Sequence, residues 1–512
     1  MQDNNISTDN KRIAKNTAYL YVRMFVTMIV ALYTSRIVLR ILGASDFGLY
    51  NVVGGIITMF SMFSGTLASG TQRFLTFAMG ERNFTKLETT FSLALGLHIV
   101  VSLILLVLAE TIGLWFLNTQ MNIPEGREVA AFWVYQFSIL AFIVSIIQIP
   151  FMSCIIAHER MDMYAYMSIY DVAMKLLVVI MLQFLSYDKL IVYALMILIV
   201  NLTSMLIYNF YCRKNFNECT WKVRWNKQLA VKIISFSGWN IFGSSVGFAN
   251  GQGINILLNI FCGTVVNAAR GISVIICNFV SQFVNNFQTA VNPQLIKLFA
   301  AKEYEKMYTL TVNSCRINGY LFLMIAIPAG IEIKFLLKLW LGEYPQYTEA
   351  FVQIILLQAL LSTLDRPLIT HIHAAGKVKM PNLTDGIALL MVLPISYVLL
   401  KLGYSPIVVA WANSLIWICD NINAIYWPHK YTGIPVKLIL IQIYGNIFFG
   451  GLIMLLIPYL VSTTMKEGLA RFFIVGFVSV VTSTAVIYFW GMTSGMKKLV
   501  LSKLHVKKIT QG

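Results

Sequence analysis

The sequence predicts an all-α integral membrane protein of about fourteen transmembrane helices, arranged as two pseudo-symmetric six-helix bundles with two additional helices at the C-terminal end. Three observations carry this. Of 512 residues, 58% are hydrophobic and only 12% charged, with a mean hydropathy of +0.72; a soluble domain carries roughly twice that share of charge. Apolar stretches of spanning length recur along the chain. At roughly 36 residues per helix plus loop, there is room for about fourteen crossings. The chain also matches itself at a shift of 220 residues.

Met1 to Asn16 is polar and ends in Lys11, Arg12 and Lys15; the apolar stretch after it contains Arg23, Arg36 and Arg40. It lacks the short uniform core and cleavage site of a signal peptide, so it reads as a retained first helix. Apolar stretches cover about 15–41, 47–78, 88–117, 128–157, 163–185 and 189–212, then 230–261, 265–299, 307–340, 348–374, 381–401, 405–428, 437–462 and 469–494. The organisation expected is a first bundle over 1–212, a basic cytoplasmic linker over 213–231, a second bundle over 232–430, two additional helices over 431–496 and a basic tail over 497–512. No polar stretch is long enough for a separate soluble domain, which excludes a pump carrying its own nucleotide-binding domain.

The repeat supports that division. At the 220-residue shift, Gly43-Ala44-Ser45 falls on Gly263-Thr264-Val265, and the segment from Gly80 to Leu87 falls on that from Ala300 to Met307. Both basic ends, Lys86 and Lys306, then lie on the same side. This requires an even displacement and two halves in parallel register, related by an axis along the membrane normal.

Lys and Arg number 39 against 22 Asp and Glu, a net charge of +17. In a membrane chain this reflects basic residues in cytoplasmic loops and not nucleic-acid binding. With the N-terminus inside, basic residues on the cytoplasmic segments outnumber those outside by more than two to one. The expected localisation is therefore a multi-pass protein of the plasma membrane with both termini cytoplasmic. The seven cysteines show no C-x-x-C spacing. No metal site, disulfide framework or cofactor is expected from them.

Polar residues at helical spacing mark the candidate site. The first helix carries Asn16, Arg23, Thr27 and Thr34; the second Asn51, Thr58, Ser61, Gly65, Ser69 and Gln72. The seventh carries Asn240, Ser244, Gly247, Gly251, Asn255 and Asn259; the eighth Asn278, Ser281, Gln282, Asn285, Thr289 and Asn292. Such stripes must face protein or water. They therefore serve either helix packing or a shared hydrated cavity. Among charges within spans, Asp171 and Lys175 are four apart and should pair, and Asp365-Arg366 reads as a local pair at the Pro367 kink. Arg23, Arg73 and Arg316 have no carboxylate within a helical turn. Such guanidinium groups, with Arg270, suit an anionic ligand, above all phosphate, which their planar fork binds bidentately. The residues expected to bind substrate are Arg23, Arg73, Arg270, Arg316, Asn240, Asn255, Asn278, Asn285 and Gln72.

Enzyme motifs are absent, and no catalytic residue is expected. Ala375-Gly376-Lys377-Val378 lacks the upstream glycine and final hydroxyl of a phosphate-binding loop. His371 and His373, two apart, do not share a helix face.

The stretches Asn16-Thr17-Ala18-Tyr19-Leu20-Tyr21, Tyr33-Thr34-Ser35-Arg36-Ile37-Val38-Leu39, Leu42-Gly43-Ala44-Ser45-Asp46-Phe47-Gly48-Leu49-Tyr50-Asn51 and Thr71-Gln72-Arg73-Phe74 resemble those of bacterial Wzx-type polysaccharide flippases. That family belongs to the multidrug/oligosaccharidyl-lipid/polysaccharide (MOP) exporter superfamily. The resemblance implies an inner-membrane flippase for an undecaprenyl-diphosphate-linked oligosaccharide. Two six-helix bundles would enclose a cationic cavity opening alternately to each side, and the partners would be the anionic lipid-linked cargo, membrane lipid and polysaccharide assembly proteins. The alternatives are a MATE-like drug/cation antiporter, which should show acidic groups dominating the cavity, and a membrane glycan polymerase or ligase, which should show a sizeable external loop.

Overall fold

The computed structural model describes residues 2–119, 123, 126–184, 187–220, 225–492 and 497. Side chains at 2–11, 32, 35, 36, 39, 44, 45, 47, 48 and 51–62 lie outside the described set. This removes Lys11, Arg36, Asn51, Thr58 and Ser61 from structural account, as well as Lys222, Arg224 and the basic tail after Lys497. Among the described residues, every regular element is helical.

We label the helices α1 (Gln2–Gly80), α2 (Phe84–Thr119), α3 (Glu128–Ala157), α4 (Met161–Phe184), α5 (Lys189–Asn215), α6 (Lys227–Ala300), α7 (Tyr304–Ile331), α8 (Ile333–Leu341), α9 (Thr348–Ala375), α10 (Lys379–Lys401), α11 (Ile407–Thr432), α12 (Val436–Thr463) and α13 (Leu469–Gly491). Ten elements among the described residues are long and apolar enough to span a membrane. One of them, α6, is two crossings joined without a loop, because Gly263 breaks it at φ 80° and ψ 179°. The first helix breaks in the same way at Gly43, φ 77° and ψ 169°. In α11, Asn413, Asp420, Asn421 and Asn423 lower the hydropathy of a helix that is 26 residues long. The total is about fourteen crossings.

The two glycine breaks occupy the positions that the 220-residue shift pairs. Their positive φ is accessible to glycine and costly for any residue with a Cβ. The correspondence continues at the next turn, where Arg82 and Lys302 adopt φ of 54° and 60°. There Asn83 caps α2 by accepting from the Lys86 amide at 2.9 Å. It recurs at the starts of α3, Glu128, and α9, Thr348.

One expected span differs. The apolar stretch over 307–340 is not a single helix: α7 ends at Ile331 and the short α8 follows after Glu332. A bidentate ion pair holds that corner. Arg471 at the start of α13 meets Glu332 with Nε–Oε1 at 2.9 Å, and the Glu332 side chain is only 1% exposed.

The chain forms two compact units, Arg12–Ile241 and Phe242–Gly512, and the division falls inside the first arm of α6. In the first unit, α3 packs against α2 and α5. Ala131, Val134, Tyr135, Val179 and Leu190 fill one core layer; Leu75, Phe91, Phe151 and Ile155 fill another. In the second unit, α9 packs on α7 and α11, and α7 also carries α12 and α13. Tyr320 of α7 fixes the last two helices. Its hydroxyl donates to the Asn446 side chain at 2.8 Å, and its ring occupies the space that a Cβ at Gly450 or Gly491 would fill.

Three of these helices widen into π turns, α13 at Ile487–Gly491 where Asn446 donates to the Trp490 carbonyl at 3.4 Å, and the other two likewise gain a side-chain donor. Tyr135 donates to the Ala109 carbonyl at 2.7 Å, in the turn Ala109–Gly113. Arg316 donates from Nε to the Gln442 carbonyl at 2.7 Å, in the turn Ile439–Gly445. A π turn disturbs the i→i−4 ladder, so a carbonyl in it is open to an outside donor.

Candidate functional site

In the first unit, helix geometry aims Arg23 from α1 toward α4. Its guanidinium lies 4.6 Å from the Tyr164 ring centre, and its buried Nε makes no hydrogen bond. No carboxylate pairs with it among the described residues. Nearby polar groups are already engaged: Lys175 Nζ meets Asp171 Oδ2 at 2.7 Å, the expected i,i+4 pair, and Tyr170 donates to Thr203 at 3.0 Å. Arg73 occupies a different setting. It is 7% exposed, with its guanidinium 4.4, 4.8 and 5.7 Å from the ring centres of Phe74, Phe77 and Phe236. Three aromatic faces around one guanidinium form a cation–π cage. Gln72 beside it is half-buried, as is Asn240.

In the second unit, Arg270 and Asn255 come together, the one pair among the nine expected site residues joined by a described hydrogen bond. Arg270 Nη1 donates to Asn255 Oδ1, and Asn255 donates to Gln252 at 3.3 Å. Arg270 also lines a small cavity of about 110 Å³, with Gln358 and Asn413 on its wall. Asn250 donates to Asn413 at 3.3 Å, and Asn413 donates to Gln358 at 3.0 Å. Sequence spacing exposed Asn255. It missed Gln358 and Asn413, which enter from α9 and α11. Their sign in the sequence is an amide within an otherwise apolar stretch.

The remaining candidates spread out. Arg316 is committed to the α12 backbone. Asn278 is exposed, and Asn285 is half-buried with an unpartnered Oδ1. Further along the same stripe, Asn292 accepts from Gln288 at 2.5 Å and from Thr370 at 2.9 Å, while Gln288 accepts from Asn318 at 2.9 Å. That end of the stripe joins α6, α7 and α9 by packing. The other end, at Asn278, remains open.

Asp365 does not form the local pair expected with Arg366. It accepts instead from Tyr444 of α12 at 2.6 Å, and Tyr444 also lies 3.0 Å from Asn421 Oδ1. Asp385 accepts from Asn423 at 2.8 Å. Asp420 is 9% exposed, and its Oδ1 has no partner. The three carboxyls, from α9, α10 and α11, lie close enough for each to act electrostatically on another. No Lys or Arg pairs with any of them among the described residues. Such a group can hold a proton or a small cation. His371 is a satisfied core residue, bonded to Thr311 at 2.7 Å and to Thr432 at 2.8 Å.

A second-unit cleft of about 790 Å³ between α7, α9, α12 and α13 is lined mainly by Phe322, Ile327, Leu356, Leu360 and Leu455, with Arg471 at its edge. Outside the spans, Arg127 bridges Asp46 and Asp188, and Asp188 Oδ1 accepts from the Leu190 and Ile191 amides at 3.0 and 3.2 Å. Burial would raise the Asp188 carboxyl, but hydrogen bonds from Arg127 and from those amides hold it below its usual value. Asp46 and the Gly43 break both belong to the segment that carries the flippase resemblance. Its role here is to turn α1 and tie the turn to the α3 and α5 starts.

A family model described as "Polysaccharide biosynthesis protein" matches residues 13–299. A search of curated proteins gives no match. Among solved structures, the chain is similar to a MATE mutant, with a TM-score of 0.71 and 10% identity over 83% of this chain and 96% of that one. An outward-facing multidrug resistance MATE family transporter of the MOP superfamily gives a TM-score of 0.68 at 11% identity, over the same 83% and 96%. A MOP superfamily transporter from Pyrococcus furiosus, described as having a binding pocket of reverse polarity, gives 0.68 at 12% identity, again over 83% and 96%. These likenesses show the fold, and the family model covers more than half of the chain. It belongs to the polysaccharide biosynthesis protein family and is a multi-pass membrane protein with a MATE-like fold.

Proposed function

We propose that the protein moves an undecaprenyl-diphosphate-linked oligosaccharide across the bacterial inner membrane by alternating access. The observation that carries this reading is the state of Arg23 and Arg270. Neither Arg23 in the first bundle nor Arg270 in the second has a described acidic partner; the first lies beside an aromatic ring and the second among amides. A cation left without a carboxylate in an apolar bundle is costly. An anionic cargo would supply the missing charge, and the fork of each guanidinium fits a phosphoryl oxygen pair. Asn255, Asn413 and Gln358 then offer donors and acceptors suited to sugar hydroxyls. Arg73 and Arg316 serve position: one is caged by rings, the other bonded to a backbone carbonyl.

A second reading, drug/cation antiport, draws support from the Asp365, Asp385 and Asp420 group. In the first reading the same carboxyls couple transport to a proton or sodium gradient. One experiment separates the readings: translocation of lipid-linked oligosaccharide in proteoliposomes, with and without an imposed ion gradient. Arg23→Ala and Arg270→Ala should each lower transport at least about tenfold, the loss of a single charged contact, with protein level unchanged. Asp420→Asn should abolish the response to the gradient. Wild-type rates in both arginine variants would remove the site assignment; no oligosaccharide transport beside gradient-driven drug efflux would favour the second reading.

A further inference from the structure

Three of the seven cysteines, scattered in sequence, converge where the first bundle meets the loop leading into α6. Cys154 lies in the last turn of α3, Cys212 in the last turns of α5, and Cys219 in the loop. All are free and buried. Cys154 Sγ is 3.6 Å from Cys219 Sγ, and Cys212 interacts with both thiols. The same point gathers harder ligands. His158 Nε2 is 2.5 Å from Glu218 Oε1, and Cys154 Sγ is 3.5 Å from the same oxygen. One donor atom each from Cys154, His158 and Glu218 lies within 4.8 Å of the others, a group that Cys219 adjoins through Cys154 and would complete by a small approach.

The surroundings hold these groups in place. The His158 ring stacks on Phe216 at 4.0 Å and 11°. The loop is tied down again where Thr220 donates to Glu88 at 3.5 Å, and the neighbouring Glu159 is fixed by Arg12 at 2.8 Å. Glu218 is 3% exposed. A buried carboxylate beside three buried thiols and an imidazole is an unusual content for a site of apolar packing.

We propose that Cys154, Cys219, His158 and Glu218 bind a divalent metal ion of the zinc class, with Cys212 as a thiol neighbour of the bound sulfurs. The sulfur spacing fits: two thiolates at about 2.3 Å from a tetrahedral ion stand about 3.8 Å apart. An ion entering between His158 and Glu218 replaces the hydrogen bond they now share and parts them by about 0.9 Å. Binding releases two thiol protons, leaving two thiolates, a neutral imidazole and a carboxylate around the ion. With the N-terminus inside, this end faces the cytoplasm, where thiols stay reduced. The bound ion would fasten the end of α3 to the loop that enters α6, stiffening the way out of the first bundle.

Cobalt(II) tests this on the full-length protein in detergent. The expected result is about one cobalt per chain, with thiolate-to-metal charge transfer in the near ultraviolet and visible bands of tetrahedral geometry. Cys154→Ser/Cys219→Ser should lose both signals, and Cys262→Ser/Cys419→Ser should keep them. Unaltered protein gives a second readout that needs no variant. Zinc should slow alkylation of Cys154 and Cys219 at least about tenfold, in line with metal protection of thiolates, and leave exposed Cys419 unaffected. Absence of the charge-transfer band, the same band in the double variant, equal alkylation with and without zinc, or a Cys154–Cys219 disulfide in protein isolated under thiol blocking would each overturn the assignment.

Discussion

Among single residues, the decisive contrast is between cations that have an acidic partner and cations with none among the described residues. Arg127 has two. It lies outside the spans and joins Asp46, just after the α1 break, to Asp188 at the start of α5. Both carboxylates are partly exposed, so solvent screens the bridge, and Arg127→Ala should cost about 1 kcal/mol. The sign of the pH dependence comes from Asp188. Its folded pKa lies below its unfolded value, so its contribution is complete above about pH 3.9 and disappears as pH falls through the folded value. Thermal midpoints of unaltered protein and Arg127→Ala should therefore differ at pH 7 and converge below about pH 4. An undiminished gap in acid would mean that the arginine acts through packing. Arg23 and Arg270 belong to the opposite class, and both are among the residues the sequence offered as anion ligands. It could not tell them from Arg73 and Arg316, since an aromatic cage and a π-turn carbonyl come from other helices.

Among elements, the two long helices carry the most instruction. Gly43 and Gly263 show the same backbone geometry in corresponding positions, yet their surroundings differ. The first corner is held by Asp46 and Arg127; the positions paired with these by the shift are Val266 and Tyr347, so the second corner has no equivalent bridge. Open space surrounds the missing Cβ at both glycines. A substitution there thus tests backbone conformation alone. Gly43→Ala and Gly263→Ala should each destabilise by about 1–2 kcal/mol, measured as a fall in thermal midpoint, whereas Gly247→Ala, in regular helix with open space, should be neutral or slightly stabilising. Equal effects at all three would show that the positive φ is not what these corners require. The breaks were legible in sequence as a repeated glycine turn. The split between α7 and α8 was not, because it depends on Glu332 finding Arg471 139 residues away.

For the whole molecule, hydropathy was enough to give the class and the approximate number of crossings, because lipid leaves the backbone no alternative to helices. Chemistry was less legible. Asp365, Asp385 and Asp420 each lie in an apolar stretch of the sequence, but their approach to one another needs three helices in register. The thiol cluster was invisible, since Cys154 and Cys219 come together only when the loop folds back. Orientation can be tested directly. With the N-terminus inside, a reporter active only outside the cytoplasm should work when fused after Gly126 and fail when fused after Asn226; the reverse pattern would invert the assigned topology. The uninterrupted joints at Gly43 and Gly263 set a rule for protein engineering. With no spare residues between the arms, an epitope tag inserted there would rotate one arm by about 100° per added residue and turn its polar stripe toward lipid. Tags belong at the eight-residue connection between α2 and α3, where added residues leave both helices in place.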